Sequence, residues 1–307
     1  MNIDVFEIIE GSLLGDGSIK IDNYKYGRYF CYKLTAKDRK FVEWVKLIFQ
    51  KFGITNCWIT CDNKILNTSS LYFYINNSPY SEKLISFREK WYKKINDKTI
   101  KTIPRDLELT PMNLLFWYLG DGSLIRRKND KNRVPFIVLA TNSFSKEDVE
   151  LLIKKLKQLN LNFYPIRCKS GFTGKECGYC LYSNTQDGTH FRFFKLIGFE
   201  CPKEIANCST GRKGRYGKEK FFKDKWPAEE DWIKILSNVK EIGPILRRRR
   251  LKLGLSQNQL ARKVGIRREN IRDVELGKWN FNVKNFRKVL KVLNLSVVEL
   301  LEGLNTI

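Results

Sequence analysis

The 307-residue sequence contains one histidine, His190. That scarcity excludes His-rich metal sites and most schemes in which an imidazole serves as general base. It leaves the residue a structural role or a minor contact to a ligand. Acidic residues are also in short supply. Asp plus Glu number 33 against 57 Lys plus Arg, a net charge of +24, which favours a polyanionic partner, either nucleic acid or a membrane surface. No apolar run approaches the roughly 18 residues that cross a bilayer, and Met1-Asn2-Ile3-Asp4 lacks the basic-then-apolar pattern of a signal peptide. Membrane insertion and secretion therefore give way to a nucleic-acid binder inside the cell, in cytoplasm or nucleoid. Cysteine itself is not scarce, at eight residues, but a paired ligand pattern is. Cys177 and Cys180 form a single CxxC with Cys168 before it, and a structural zinc would need a fourth ligand such as Cys201 or Cys208. The alternating stretch Cys177-Gly-Tyr-Cys180-Leu-Tyr182 reads instead as a strand with small fillers, its thiols free.

What is present is a repeat. Leu14-Gly15-Asp16-Gly17-Ser18 returns as Leu119-Gly120-Asp121-Gly122-Ser123. Each copy ends an apolar run, residues 6–13 and 112–118, too long for a comfortable strand and suited to a buried helix. Gly17 and Gly122 are expected to stop these helices in the left-handed conformation. Each helix would then end by presenting one carboxylate, where the helix dipole disfavours it unless a hard cation sits between the acid and the exposed carbonyls. Gly11 and Gly15 share a helix face and would admit a second backbone closely. If the two helices pack together, Asp16 and Asp121 meet at one end. Paired carboxylates with divalent ions suit in-line phosphoryl chemistry. A single copy would read as a helix cap and turn; two copies in a very basic chain favour the functional reading.

The surrounding pattern repeats as well. Strands are expected at 18–22, 28–36, 56–62 and 70–76, with helices at 41–52 and 81–95. A second set follows: strands at 123–127, 134–141, 162–168 and 178–184, and helices at 146–159 and 189–197. An α-β-β-α-β-β-α unit thus occurs twice. Tyr24, Lys25, Tyr26, Arg28 and Tyr29, and their counterparts Arg126, Arg127, Lys128, Lys131 and Arg133, mix charge with aromatics on hairpins that suit a major groove. The plain alternative is a solvated hairpin.

Lys101-Thr-Ile-Pro104 followed by Leu109-Thr-Pro-Met-Asn-Leu-Leu-Phe-Trp-Tyr-Leu-Gly-Asp-Gly122 resembles the LAGLIDADG homing endonucleases, in particular the subgroup with an LTP…DG second motif. Phe87-Arg-Glu-Lys-Trp-Tyr92 and Thr141-Asn-Ser-Phe144 are similar to that subgroup too. The resemblance spans roughly residues 5–208. It implies a monomer of two αββαββα halves joined at the motif helices, with a saddle of strands over a long asymmetric DNA duplex and Mg²⁺- or Mn²⁺-dependent cleavage of both strands. It also implies that Asp16 and Asp121 bind metal, alongside the carbonyls of Gly15 and Gly120, and that Lys101 polarises water or stabilises developing charge. The symmetry-related lysine is expected within 201–208, where Asn207 stands at the position and Lys203, one turn away, is the candidate. Splicing residues are not found at the ends, so an intein reading has no support.

Beyond residue 208 the composition shifts. Residues 209–218 are basic and glycine-rich, as in a flexible linker, and 221–236 hold several aromatics with no clear assignment. From 242 a compact helical unit is expected: Ser256 caps a helix that Gly265 ends, and a second helix starts three residues on, a helix-turn-helix pattern. This part resembles the phage-repressor, Cro-like family. That implies a recognition helix beginning at Arg267-Arg268-Glu269-Asn270, with Arg268, Glu269, Asn270 and Asp273 facing base edges and Gln257 on a phosphate. The run Arg247–Arg250 is either a solvated face or a phosphate grip. The expected architecture is α+β: halves at 1–98 and 99–208, a connecting segment at 209–241, and a small all-α helix-turn-helix domain at 242–307. The leading function is a site-specific DNA endonuclease. The alternatives are a non-catalytic transcription regulator on the same scaffold and an RNA maturase.

Overall fold

The computed structural model describes the chain except residues 1–3, 25–26, 64–67, 75–80, 128–131, 170–175, 214–217 and 307. The first half runs α1 (Val5–Leu13), β1 (Gly17–Tyr24), β2 (Gly27–Ala36), α2 (Arg39–Lys51), β3 (Cys57–Asn63), β4 (Thr68–Tyr74) and α3 (Ser81–Trp91). A hairpin follows, β5 (Tyr92–Ile95) and β6 (Lys98–Lys101). The second half repeats the order with α4 (Pro111–Asp121), β7 (Gly122–Ile125), β8 (Phe136–Ala140), α5 (Lys146–Gln158), β9 (Phe163–Lys169), β10 (Glu176–Ser183) and α6 (Thr189–Ile197). The two four-stranded antiparallel sheets have the same strand order, β1-β2-β4-β3 and β7-β8-β10-β9. Alternation sets their faces: Leu124, Ile137, Leu139 and Leu181 point into the core while Tyr164 and Ile166 stay exposed.

Helix α1 and helix α4 are apolar on nearly every side, so both lie in the core rather than on it. Asp4 caps α1 by accepting from the Phe6 N–H, and Thr110 closes a capping box with Asn113 after Pro111 sets the first turn.

Two stretches depart from the sequence-based expectation. The helix expected over 81–95 ends at Trp91, because Asn96 and Asp97 both take positive φ (47° and 60°) and turn the chain back as a hairpin. The expected flexible linker at 209–218 is in part strand, and residues 214–217 of it lie outside the described residues. It contributes β11 (Ser209–Lys213), which pairs with β12 (Glu219–Phe221). This ribbon crosses back to the first half. The Ser209 N–H donates to Asp38 Oδ2 at 2.7 Å, while the same carboxylate's other oxygen caps α2 through Lys40 N. Phe222 stacks on Phe41 with centroids 4.7 Å apart. The CxxC stretch lies on strand β10, as its alternation predicts.

The previously unassigned 221–236 forms a 3₁₀ turn, Phe222–Lys225, and helix α7 (Glu229–Leu236). Trp232 of α7 meets Phe194 and Phe199 edge-on. The C-terminal unit comprises α8 (Gly243–Lys252), α9 (Gln257–Val264), α10 (Arg268–Glu275), α11 (Val283–Leu293) and α12 (Val297–Asn305). It docks on α7 and α6: Arg287 pairs with Glu230, and Lys195 donates to the Leu304 carbonyl at 2.9 Å. No helix among the described residues is long and apolar enough to cross a membrane.

Candidate active site and nucleic-acid interface

The motif helices run side by side in the same direction. At their N-terminal ends Asn113 Nδ2 donates to the Glu7 carbonyl at 2.8 Å, and the Thr110 hydroxyl donates to the Glu7 carboxylate at 2.9 Å. Where the last turn of α1 passes the first turn of α4 the backbones nearly touch: a Cβ at Gly11 would lie 2.4 Å from the Asn113 carbonyl oxygen. At the C-terminal ends the contact is reciprocal. A Cβ at Gly15 would meet Asp121 Oδ2 at 3.6 Å, and one at Gly120 would meet Asp16 Oδ2 at 3.7 Å. Each aspartate therefore leans over the glycine of the opposite helix, and Asp16 and Asp121 share one site, with Gly15 and Gly120 between them.

Gly17 and Gly122 do not end the helices in the left-handed conformation. Gly122 is extended (φ −81°, ψ 155°), and Gly17 is not among the positive-φ glycines. Glycine is needed there because the strand leaves so tightly that a Cβ would strike the preceding helical turn, 2.5 Å from the Tyr118 carbonyl and 2.8 Å from that of Ser12.

A lysine sits under each helix end. Lys101 Nζ donates to the carbonyls of Leu13 (2.9 Å), Gly15 (3.1 Å) and Gly17 (2.8 Å). Lys225 Nζ donates to those of Tyr118 (3.0 Å), Leu119 (2.6 Å) and Gly120 (3.4 Å). Burial drags the Lys101 ammonium down to about 8, against the attraction of Asp121 and Asp16. An ammonium among a helix's last carbonyls offsets the negative end of its dipole. This is how the fold tolerates a carboxylate at each terminus. Lys203, the sequence-based candidate for the second lysine, is exposed. Lys225 occupies the position symmetric to Lys101 instead, and sequence reasoning missed it.

Residues 6–191 match the model of the LAGLIDADG DNA endonuclease family, and residues 246–300 match a helix-turn-helix family. The chain belongs to the LAGLIDADG DNA endonuclease family. It is 33% identical over 160 residues to an uncharacterized protein of Methanocaldococcus jannaschii, across 51% of this chain and 56% of that one. It is 26% identical over 167 residues to "Probable intron-encoded endonuclease 1" of Wickerhamomyces canadensis, across 51% and 66%. The chain thus covers just over half of the first relative and just under two thirds of the second. Among solved structures, the homing endonuclease I-WcaI bound to its DNA recognition sequence aligns at 22% identity and TM-score 0.45, covering 64% of this chain and 82% of that one.

The groove-facing candidates of this LAGLIDADG chain divide. Lys25 lies outside the described residues, and Arg28 is on β2. Arg127 and Arg133 are exposed, Arg127 with its guanidinium 5.4 Å from the Phe136 ring centroid. Phe136 stacks on Tyr182, which leans on Tyr164, so the open face of this sheet carries an aromatic row beside Arg127. Arg126 departs from expectation. Its Nε donates to Asp231 Oδ2 at 2.7 Å, and its Nη1 and Nη2 donate to the carbonyls of Asp224 and Trp226, both at 2.8 Å. Its planar fork is turned onto the protein, not toward a groove. His190 is buried against the Ser183 hydroxyl at 2.9 Å, which makes it structural and removes it as a DNA contact.

In the C-terminal unit α9 and α10 form the expected pair, with Ser256 capping and Gly265 at φ 76°. Arg267, Arg268, Glu269 and Asn270 are all exposed at the start of α10. Gln257 Nε2 donates to Glu275 Oε2 at 2.9 Å. The arginine run is neither a plain solvated face nor a phosphate grip throughout. Arg250 is buried and doubly bonded to Glu275, and Arg249 donates to the carbonyls of Leu293 and Asn294 that end α11.

Proposed function

We propose that this chain is a site-specific double-stranded DNA endonuclease that hydrolyses one phosphodiester on each strand with divalent metal at the paired aspartates, Mg²⁺ or Mn²⁺. The observation that carries the proposal is the reciprocal packing at the helix ends, which gathers Asp16, Asp121, Lys101 and Lys225 in one place. The donor set fits a hard cation: two carboxylates and the adjacent Gly15 and Gly120 carbonyls are all oxygen. Among the described residues no three His, Cys, Asp or Glu side chains converge. Water and phosphate oxygens would complete the shell, as Mg²⁺ prefers.

The metal supplies charge neutralisation and an activated water when bound. The chain's own residues do the rest. Asp16 and Asp121 fix where the scissile phosphates come to lie. Lys101 and Lys225 hold the two helix ends and place a positive charge beside the phosphoryl oxygens as charge develops. Exposed lysines and arginines supply salt-dependent affinity, and the groove-facing strands supply selection. The two halves differ in sequence at equivalent strands, so the target is asymmetric and one chain suffices.

The test is a plasmid carrying the natural insertion locus. Wild-type protein with Mg²⁺ linearises it, while Asp16→Ala and Asp121→Ala lose cleavage and keep binding. Full activity in either variant would refute the assigned role. The exposed recognition-helix residues favour a second reading, a transcription regulator on the same scaffold. Tight binding of the locus without any strand cleavage by the wild type would support it. Preference for structured RNA over the duplex would point to a maturase.

A further inference from the structure

Lys101 and Lys225 reach equivalent positions by different routes. Lys101 is the last residue of β6, zipped to β5 from Tyr92↔Lys101 to Ile95↔Lys98, and the next residue donates from Thr102 N to the Trp91 carbonyl at 2.8 Å. Lys225 has no such partner strand. It ends one 3₁₀ turn between β12 and α7. Three successive carbonyls hold that turn. Arg126 donates to those of Asp224 and Trp226, on either side of the lysine, and the Tyr118 hydroxyl donates to that of Lys225 itself at 2.5 Å. The third arm of Arg126 is fixed by Asp231, whose buried carboxylate also accepts from Ala228 N at the start of α7.

Arg126 directly follows β7, and β7 starts at the residue after Asp121. One short strand therefore connects the second motif aspartate to the clamp around its lysine. We infer that Arg126 is a positioning residue for Lys225: it fixes the ammonium relative to Asp121, in place of the hairpin that fixes Lys101. This rests on the nuclease reading for its catalytic consequence, and on geometry alone for the placement of the lysine.

Two readouts keep those apart. In single-turnover cleavage of supercoiled plasmid, Arg126→Gln slows one strand by about tenfold or more and leaves the other near the wild-type rate, so nicked circles accumulate. Arg126→Gln/Lys225→Met is then no slower than Lys225→Met alone, because both changes remove the same function. Equal slowing of both strands, or additive losses, would overturn the inference. So would weaker binding with unchanged cleavage at saturation, which would make Arg126 a DNA contact.

The second readout needs no cleavage. With ¹⁵N-labelled lysine, the protected Lys225 ammonium signal, assigned by its loss in Lys225→Met, broadens or vanishes in Arg126→Gln. An unchanged signal would overturn the placement claim even if wild-type protein cuts nothing. If Arg126→Gln does not fold because Asp231 is left buried and unpaired, Arg126→Leu/Asp231→Asn removes that charge and is read in the same two assays.

Discussion

Lys101 and Lys225 are pseudo-symmetric partners: each ammonium donates to three main-chain carbonyls at the end of a motif helix, one set at Leu13, Gly15 and Gly17, the other at Tyr118, Leu119 and Gly120. The pair explains two features at once. It offsets the charge that an aspartate adds to a helix C-terminus, and it brings positive charge to the point where a phosphate would meet the carboxylates.

Removing either ammonium should therefore slow cleavage more than it weakens binding. Lys101→Met and Lys225→Met are each expected to lower the single-turnover rate by about 10²-fold or more, the scale of losing one preorganised electrostatic contact, with DNA affinity changed by less than tenfold. Lys101→Arg should not restore the full rate, because a planar fork cannot follow three carbonyls arranged around a point. Rates at saturating protein, compared with binding at the same salt, decide this.

The close helix contact is equally specific about what it excludes. Gly11→Ala would place a methyl 2.4 Å from the Asn113 carbonyl, which belongs to the rigid first turn of α4. Overpacking of that kind costs about 1–3 kcal/mol, so thermal unfolding of the variant should shift down by several degrees. An unchanged melting temperature would mean that the two helices separate more easily than their packing implies.

The site was legible in sequence wherever its residues repeat locally. The two Leu-Gly-Asp-Gly-Ser copies announce both aspartates and the glycines that let the helices meet. The second lysine was not legible by repeat spacing. Asp16 precedes Lys101 by 101 − 16 = 85 residues, whereas Asp121 precedes Lys225 by 225 − 121 = 104. The β11–β12 ribbon, residues 209–221, supplies most of that difference, and counting 85 residues on from Asp121 lands on Ala206, within the 201–208 stretch that holds Lys203. A proline shortly after each lysine, Pro104 and Pro227, was the signal available. Arg126 was misread for a different reason: a basic residue at a strand end looks the same in sequence whether its partner is a phosphate or Asp231. The Asn96-Asp97 turn was hidden because the apolar spacing of α3 runs on into β5.

The buried histidine gives the fold an acid limit. Burial pushes His190 down from 6.5 to about 4. Between those values the unfolded chain binds a proton that the folded chain does not. The stabilisation is full above pH 6.5 and is lost as the pH falls toward 4. A shift of this size corresponds to about 3 kcal/mol. Urea unfolding from pH 7 to 4.5 should therefore show a steeper loss of stability in wild type than in His190→Asn, which has nothing to titrate in that window. Parallel curves would place the acid sensitivity elsewhere.

A net charge of +24 predicts binding dominated by phosphate contacts. If about 8 phosphates are neutralised, the log–log slope of affinity against salt is near −7. A slope shallower than about −2 would contradict an extended backbone interface. Two arginines then separate by role. Arg268 is exposed at the start of α10, where it would face base edges, and if the recognition helix engages the same duplex, Arg268→Ala should weaken binding by about 1–3 kcal/mol and relax selection at the base it reads. Arg126 spends three donors on Asp231 and the carbonyls of Asp224 and Trp226, so Arg126→Gln should leave the slope where it was. Should Arg268→Ala instead leave affinity for the cleavage target unchanged yet weaken binding to another sequence, the C-terminal unit serves a second DNA site and the saddle reads the cleavage target alone.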